Sequence, residues 1–176
     1  MVEKAVAFAT KSHEGTFRKG TKIPYIVHPL ETAVIVALMV TDEELICAAL
    51  LHDVAEDAGV TEEELEREFG HRVARLIMEE TEDKTKSWKE RKSATLAHLE
   101  YASRDSKILV LADKLSNLRT TARDYFYEGE AVWQRFNEKN KEEHAWYYKG
   151  IADRLEELNE FPAYQEYVKL CERVFG

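Results

Sequence analysis

Apolar residues at Val2, Ala5, Val6 and Ala9 recur with helical spacing, which predicts a first helix closing in the region of Gly15. From Glu14 to His28 the chain is broken by Gly15, Gly20 and Pro24 and reads as a loop. His28-Pro29 has the makings of a helix start, because proline at the first helical position sacrifices no hydrogen bond. Leu30 to Val40 is then apolar almost all round, so this second helix is expected to be buried. Thr41 with Glu44 has capping-box spacing and opens a third helix through Leu45, Ala48, Ala49 and His52 to the region of Asp57, closed by Ala58-Gly59. Thr61 with Glu64 repeats the signal before a short acidic helix that ends at Phe69 and Gly70, and Val73, Leu76 and Ile77 mark the next one. Thr81 to Ser87 reads as a charged loop, and Trp88 to Ser103 as a helix. The clearest stripe, Ile108, Leu111, Ala112, Leu115 and Leu118, predicts a long helix running on toward Tyr125. Beyond a loop near Gly129, helices through Trp133, from Tyr147 to Leu158 and from Ala163 to Val174 complete an all-α fold, with a break at Pro162.

Composition narrows the class. The 176 residues predict one domain, and seven Gly with three Pro leave few turns and long regular elements. A 44% hydrophobic and 34% charged composition is that of a soluble globular chain. With 25 Lys and Arg against 34 Asp and Glu, the net charge of −9 argues against a general nucleic-acid or polybasic membrane binder. An anionic ligand must therefore be met by a local basic patch. The loop carrying Arg18, Lys19 and Lys22 is the first source, and Lys107, Lys114 and Arg119 are further ones. Cys47 and Cys171 are 124 positions apart in apolar helical contexts, without metal or disulfide spacing, and read as reduced and packed. No signal-peptide core opens the chain, and the run Ala33 to Val40 falls far short of the ~20 residues of a membrane span, so a cytoplasmic protein, alone or as a small homo-oligomer, is expected.

The chemistry concentrates where the apolar face of the third helix turns polar. Leu45, Ala48 and Ala49 continue at helical spacing into His52, Asp53, Glu56 and Asp57, which are expected to face inward. Carboxylates crowded on a partly buried face repel one another unless cations or hydrogen bonds compensate, and a divalent metal would resolve the conflict. His52 and Asp53 supply only two ligands, so others must come from elsewhere. His28, fixed by the following proline, and Asp113, which interrupts the apolar run Ile108 to Ala112, are the candidates. Asp113, Asn117 and Thr120 form a polar seam at i, i+4 and i+7 that would add substrate-binding groups to the same cleft. The H-D dipeptide alone is weak, and it could equally be a solvated helix end. His13, His71, His98 and His144 read as packed or surface residues, and the aromatics after residue 125 as core.

Together these residues resemble the HD-domain hydrolases of the RelA/SpoT type, particularly the stand-alone small alarmone hydrolases. The likeness is carried, in order, by H-x-G-x-x-R-K-G at His13 to Gly20, P-Y-I-x-H-P at Pro24 to Pro29 and A-A-L-L-H-D-V-A-E-D at Ala48 to Asp57. F-G at Phe69, T-x-D-K at Thr81 to Lys84 and L-A-D-K-L-S-N-L-R-T at Leu111 to Thr120 follow. The resemblance implies an all-helical HD bundle in which His28, His52, Asp53 and Asp113 bind one metal between helices, usually manganese. It also implies that Glu56 and Asp57 orient or deprotonate the attacking water and assist the leaving group. Arg18 matches a base-stacking arginine with Lys19 beside it, Asn117 and Thr120 match nucleotide-contacting positions, and either Tyr147 or Tyr148 is implied to line the pocket. The implied reaction is hydrolysis of guanosine tetra- or pentaphosphate at the 3′ position to pyrophosphate and GDP or GTP, by a hydrolase domain without synthetase, TGS or ACT segments.

Two other readings stay open on the residues. An HD phosphohydrolase of another nucleotide, such as the 2′-phosphate of NADPH, would share the metal core. A non-catalytic nucleotide sensor would use the same pocket, although the intact Glu56 and Asp57 speak against it.

Overall fold

In the computed structural model, which describes residues 1–176, the helices form where the sequence places apolar faces and caps. They are α1 (Val2–Ser12), α2 (Val27–Met39), α3 (Glu43–Leu51), α4 (Val54–Ala58), α5 (Glu62–Phe69), α6 (His71–Glu80), α7 (Trp88–Leu99), α8 (Arg104–Glu128), α9 (Lys141–Arg154) and α10 (Pro162–Phe175). Short 3-10 turns occupy Gly129–Arg135 and Glu156–Leu158. The all-α expectation holds, and extended structure is confined to one isolated bridge between Phe17 and Pro24.

The local signals explain most boundaries. Thr61 accepts from the Glu64 N–H at the start of α5, Gly59 closes α4 in the left-handed region at φ +70°, and Ser87 with Glu90 forms a full capping box on α7. Asp42, rather than Thr41, caps α3, where its carboxylate accepts from the Leu45 N–H. The third helix does not run unbroken to Asp57: α3 stops at Leu51 and α4 restarts at Val54, with His52 and Asp53 in the turn between. The cause is a side chain. His52 Nδ1 lies 2.8 Å from the Ala49 carbonyl oxygen, the acceptor that a continuous helix would give to the Asp53 N–H.

The 25-residue α8 is the axis of the molecule and packs against α2, α3, α6 and α10. Its burial extends beyond the apolar stripe to Ser106, Lys107, Asp113, Ser116 and Thr121, so polar groups are carried into the interior on a rigid element. The α2 expectation needs correction. His28, Thr32, Ala33, Ile35 and Val36 are buried, but Val27, Leu30, Val34 and Leu38 form a stripe facing outward, with Val34 58% and Leu38 81% exposed. Hydrophobicity all round the helix does not correspond to cover all round. The buried apolar residues form one continuous cluster from Ala5 to Val174.

Candidate metal centre

Three separate pieces of chain deliver the polar groups of the centre. α2 supplies His28 from its first turn, the α3–α4 break supplies His52 and Asp53, and the middle of α8 supplies Asp113. His28 is 2%, His52 5% and Asp113 9% exposed. The imidazole Nε2 atoms of His28 and His52 lie 3.2 Å apart. Asp113 Oδ1 is 3.1 Å from His28 Nε2 and 3.6 Å from His52 Nε2, and Asp53 Oδ2 is 3.0 Å from His52 Nε2 and 3.6 Å from His28 Nε2. Donor atoms of His28, His52 and Asp113 all fall within 4.8 Å of one another. Ligands about 2.0–2.2 Å from a common ion stand at this kind of mutual spacing.

Hydrogen bonding behind the donors fixes which atoms face the centre. His52 Nδ1 donates to the Ala49 carbonyl, and His28 Nδ1 is 2.8 Å from Ser116 Oγ. Tyr25 donates its hydroxyl to Asp53 Oδ2 at 2.7 Å, while Asn117 Nδ2 donates to Asp113 Oδ1 at 2.7 Å and Lys114 Nζ pairs with Asp113 Oδ2 at 2.6 Å. With both Nδ1 atoms committed outward, the two Nε2 atoms and an Asp113 oxygen converge on one point, and Asp53 Oδ2 borders the imidazole pair beside them. Electrostatics report the same demand. Burial works against a charge on His52, but Asp53 and Asp113 outweigh it and raise its affinity for a proton, whereas burial lowers that of His28. Burial likewise opposes ionisation of Asp53 and Asp113, yet His52 beside the first, and Lys114 with both histidines beside the second, hold them below the usual carboxylate range. The centre is built to hold positive charge. A mixed nitrogen and oxygen set without thiolate suits a divalent first-row ion, so the residues present fit the metal that the resemblance implies.

Around this point lies a cavity of about 240 Å³ that also takes in Glu56, Glu80, Glu82, Arg91, Lys92 and Asn117. Glu56 is half-buried, and burial, with Glu82 next to it, raises its proton affinity. Asp57 departs from the expectation of an inward-facing group: it is exposed at the rim, where Lys84 Nζ lies 2.9 Å from its Oδ1 and also donates to the Glu56 carbonyl at 2.9 Å. A second cavity of about 160 Å³ adjoins the first through Lys92, Lys114 and Asn117 and is walled by aromatic rings, among them Trp88, Trp133, Tyr147 and Tyr148. Both tyrosines therefore line it, and the late aromatics are core and cavity wall together.

The remaining sequence candidates are distributed differently. Arg18 donates to Asn117 Oδ1 at 2.7 Å and lies over the Tyr25 ring, which puts it at the edge of the centre. Lys19 is turned away toward Asn137. Thr120 lines a separate space of about 110 Å³ behind His28, together with Arg18 and Arg123. Lys107 and Arg119 do not join a basic patch at the cavity, because Lys107 pairs with Glu157, and Arg119 with Glu31 and Glu166. The cations that do line the cavity with Lys114 are Arg91 and Lys92, both paired with Glu82, at 2.9 Å and 2.7 Å. Sequence reading missed them, along with Tyr25, Glu80 and Lys84. Tyr25 and Lys84 lie inside the P-Y-I-x-H-P and T-x-D-K motifs and could have been found there, whereas nothing local marks Arg91, Lys92 or Glu80.

Known proteins carry the same arrangement of chain. Residues 5–141 match the family model for the HD domain. Guanosine-3′,5′-bis(diphosphate) 3′-pyrophosphohydrolase MESH1 of Xenopus tropicalis is 41% identical over 126 residues, covering 70% of this chain and 70% of that protein. The solved structure of a metazoan orthologue of SpoT, a protein described as hydrolysing ppGpp and acting in starvation responses, aligns with a TM-score of 0.82 at 28% identity over 98% of this chain and 94% of that one. The crystal structure of lmo0812 from Listeria monocytogenes EGD-e aligns with a TM-score of 0.77 at 35% identity, over 86% of this chain and 96% of that one. A family match over most of the sequence, joined to this identity with the Xenopus protein, makes the chain a member of the HD-domain family, in the group that holds MESH1 and the metazoan SpoT orthologue.

Proposed function

We propose that the chain, acting over residues 1–176 as one catalytic unit, is a manganese-dependent cytoplasmic hydrolase that removes the 3′-pyrophosphate of guanosine tetra- or pentaphosphate. The observation that carries this reading is the convergence of His28, His52 and Asp113 on one buried point, with Asp53 beside His52, at the floor of a cavity that also holds Glu56. The substrate follows from the relatives, whose names give that reaction. The two free, buried cysteines accord with a reducing compartment.

His28, His52, Asp53 and Asp113 would hold the ion, which when bound lowers the pKa of water toward ~7 and offsets charge growing on a phosphoryl oxygen. Glu56, in α4 just beyond the turn that holds His52, takes the proton of the attacking water, and its raised proton affinity is the direction a base requires. The water oxygen bonds to the phosphorus next to the ribose 3′ oxygen and the bond between that phosphorus and that oxygen breaks. The proton ends on the 3′ oxygen, with Asp57 assisting its departure from the rim, where Lys84 holds it. Arg18 and Asn117, bonded to each other, meet the nucleoside side of the substrate and the aromatic cavity takes the base, while Lys19, bonded to Asn137, and Thr120, in the space behind His28, stand outside this cleft. Arg91, Lys92 and Lys114 supply positive charge against an overall −9.

Incubation of the pure protein with Mn2+ and a nucleotide panel, with every product identified, tests this. Pyrophosphate with GDP or GTP is expected. Inorganic phosphate as sole product would overturn it in favour of a phosphatase such as one acting on NADPH, and binding without turnover would mark a sensor.

A further inference from the structure

Behind His28 runs a chain of hydrogen bonds that the proposed reaction does not use. Ser116 Oγ, on α8 and only 1% exposed, is 2.8 Å from His28 Nδ1 and donates to Glu31 Oε2 at 2.7 Å. Glu31, one turn along α2 from His28, receives Arg119 Nη1 on its other oxygen at 3.0 Å. Arg119 in turn forks onto the Glu166 carboxylate of α10 through Nε at 2.7 Å and Nη2 at 2.6 Å. The direction of this chain is set by counting hydrogens. A serine hydroxyl has one, and a carboxylate held by an arginine can only accept. The Ser116 proton therefore goes to Glu31, and Ser116 can serve His28 only as an acceptor. His28 must then carry its hydrogen on Nδ1.

We infer that Ser116 and Glu31 are positioning residues that lock His28 in the tautomer whose Nε2 lone pair faces the metal centre. The consequence is specific. Without Glu31 the serine could donate instead, and His28 would be free to move its hydrogen to Nε2, where Asp113 Oδ1 waits 3.1 Å away to accept it. That hydrogen would occupy the position in which a ligating lone pair is needed. His52 has no such vulnerability, because its Nδ1 is held by a backbone carbonyl, which no substitution removes. Of the two imidazoles, only His28 depends on side chains for its orientation. The chain also extends the centre beyond the matched HD region of residues 5–141, since Glu166 anchors Arg119 from α10.

The inference rests on the reading of these residues as a metal centre, and the experiment separates the two. Nitrogen chemical shifts of the His28 ring are measured by ¹⁵N NMR in the metal-free protein, and Mn2+ affinity is measured by competition against a chelator. Wild type, Ser116→Ala, Ser116→Thr and Glu31→Ala are compared. Wild type is expected in the Nδ1–H tautomer. Ser116→Ala and Glu31→Ala are expected to show a mixture and to bind Mn2+ roughly 10- to 100-fold more weakly, the usual effect of losing a partner behind a ligating histidine. Ser116→Thr, which keeps the hydroxyl, is expected to restore both. An unchanged ring tautomer or an unchanged Mn2+ affinity in the two alanine variants would overturn the inference. Failure of the wild type to bind Mn2+ would instead strike the metal reading, while the tautomer comparison in metal-free protein would still decide the relay. Should Ser116→Ala not fold, the more exposed Glu31→Ala carries the test alone.

Discussion

Glu80, the last residue of α6, has an Oε1 that is shielded from solvent and has no hydrogen-bond partner. Burial pushes its carboxyl up to about 8, Lys114 draws it partly back, and Asp113 adds to the rise. The folded chain thus keeps a proton that the unfolded chain releases near the usual 4.5. The associated stability is fully present below that value and is lost as pH rises toward about 8. Glu80→Gln, which keeps the shape without the charge, is expected to match wild type in metal-free urea unfolding at low pH. It should become progressively the more stable of the two as pH rises, with a slope of at most about 1.4 kcal/mol per pH unit. A difference independent of pH would remove the assignment. Glu80 also marks the limit of sequence legibility at this scale. In Met78-Glu79-Glu80 it reads as one more charge at a solvated helix end, and only the approach of α8 makes it a wall of the centre. His28 and Asp113 were legible because each breaks a local rule, one as a polar group fixed by proline, the other as a carboxylate inside an apolar run.

At the scale of elements, most caps were legible, though Asp42 and not Thr41 caps α3, and cover was not. Gly59, Thr61 with Glu64, and Gly70 act within one turn of chain, so their effect is written locally. The outward stripe of α2 and the split between α3 and α4 depend on what lies against the helix or on an imidazole competing for a carbonyl, and hydrophobic periodicity carries neither. The same distinction bears on α7, which buries only Leu96 and Leu99 yet brings Arg91 and Lys92 to the cavity. With so little apolar burial, α7 leans on its capping box: Ser87 accepts from the Glu90 N–H, and Glu90 Oε2 accepts from the Ser87 N–H at 2.9 Å. Ser87→Ala is expected to cost about 1 kcal/mol, read as a melting midpoint lower by roughly 2–4 °C. An unchanged midpoint would show that α7 is held by its contact with α9 instead.

For the whole molecule, the donors of the centre come from elements far apart in sequence, α2, the α3–α4 turn and α8, so an ion bound there would cross-link the bundle through its longest helix. An ion that binds the folded chain and not the unfolded one stabilises by mass action, by about 2.7 kcal/mol at a free concentration 100 times its dissociation constant. At roughly 2–4 °C per kcal/mol for a chain of this size, removal of the ion by a chelator is expected to lower the midpoint by about 5–10 °C. Returned Mn2+ should restore it. His28→Ala separates this from a general effect of chelator, because it deletes one of the two nitrogen donors while leaving α2 otherwise intact. Its midpoint is expected to be low and insensitive to chelator and Mn2+ alike. Were the variant to respond to Mn2+ as strongly as wild type, the ion would have to bind elsewhere, and the convergence of His28 with His52 and Asp113 would be a packing arrangement alone. Other carboxylate clusters on a protein of net charge −9 could bind cations loosely, but such binding would survive the His28 substitution and would not depend on the order of the three elements. The size of the shift and its dependence on one buried imidazole together distinguish a cross-link through the core from adsorption at the surface.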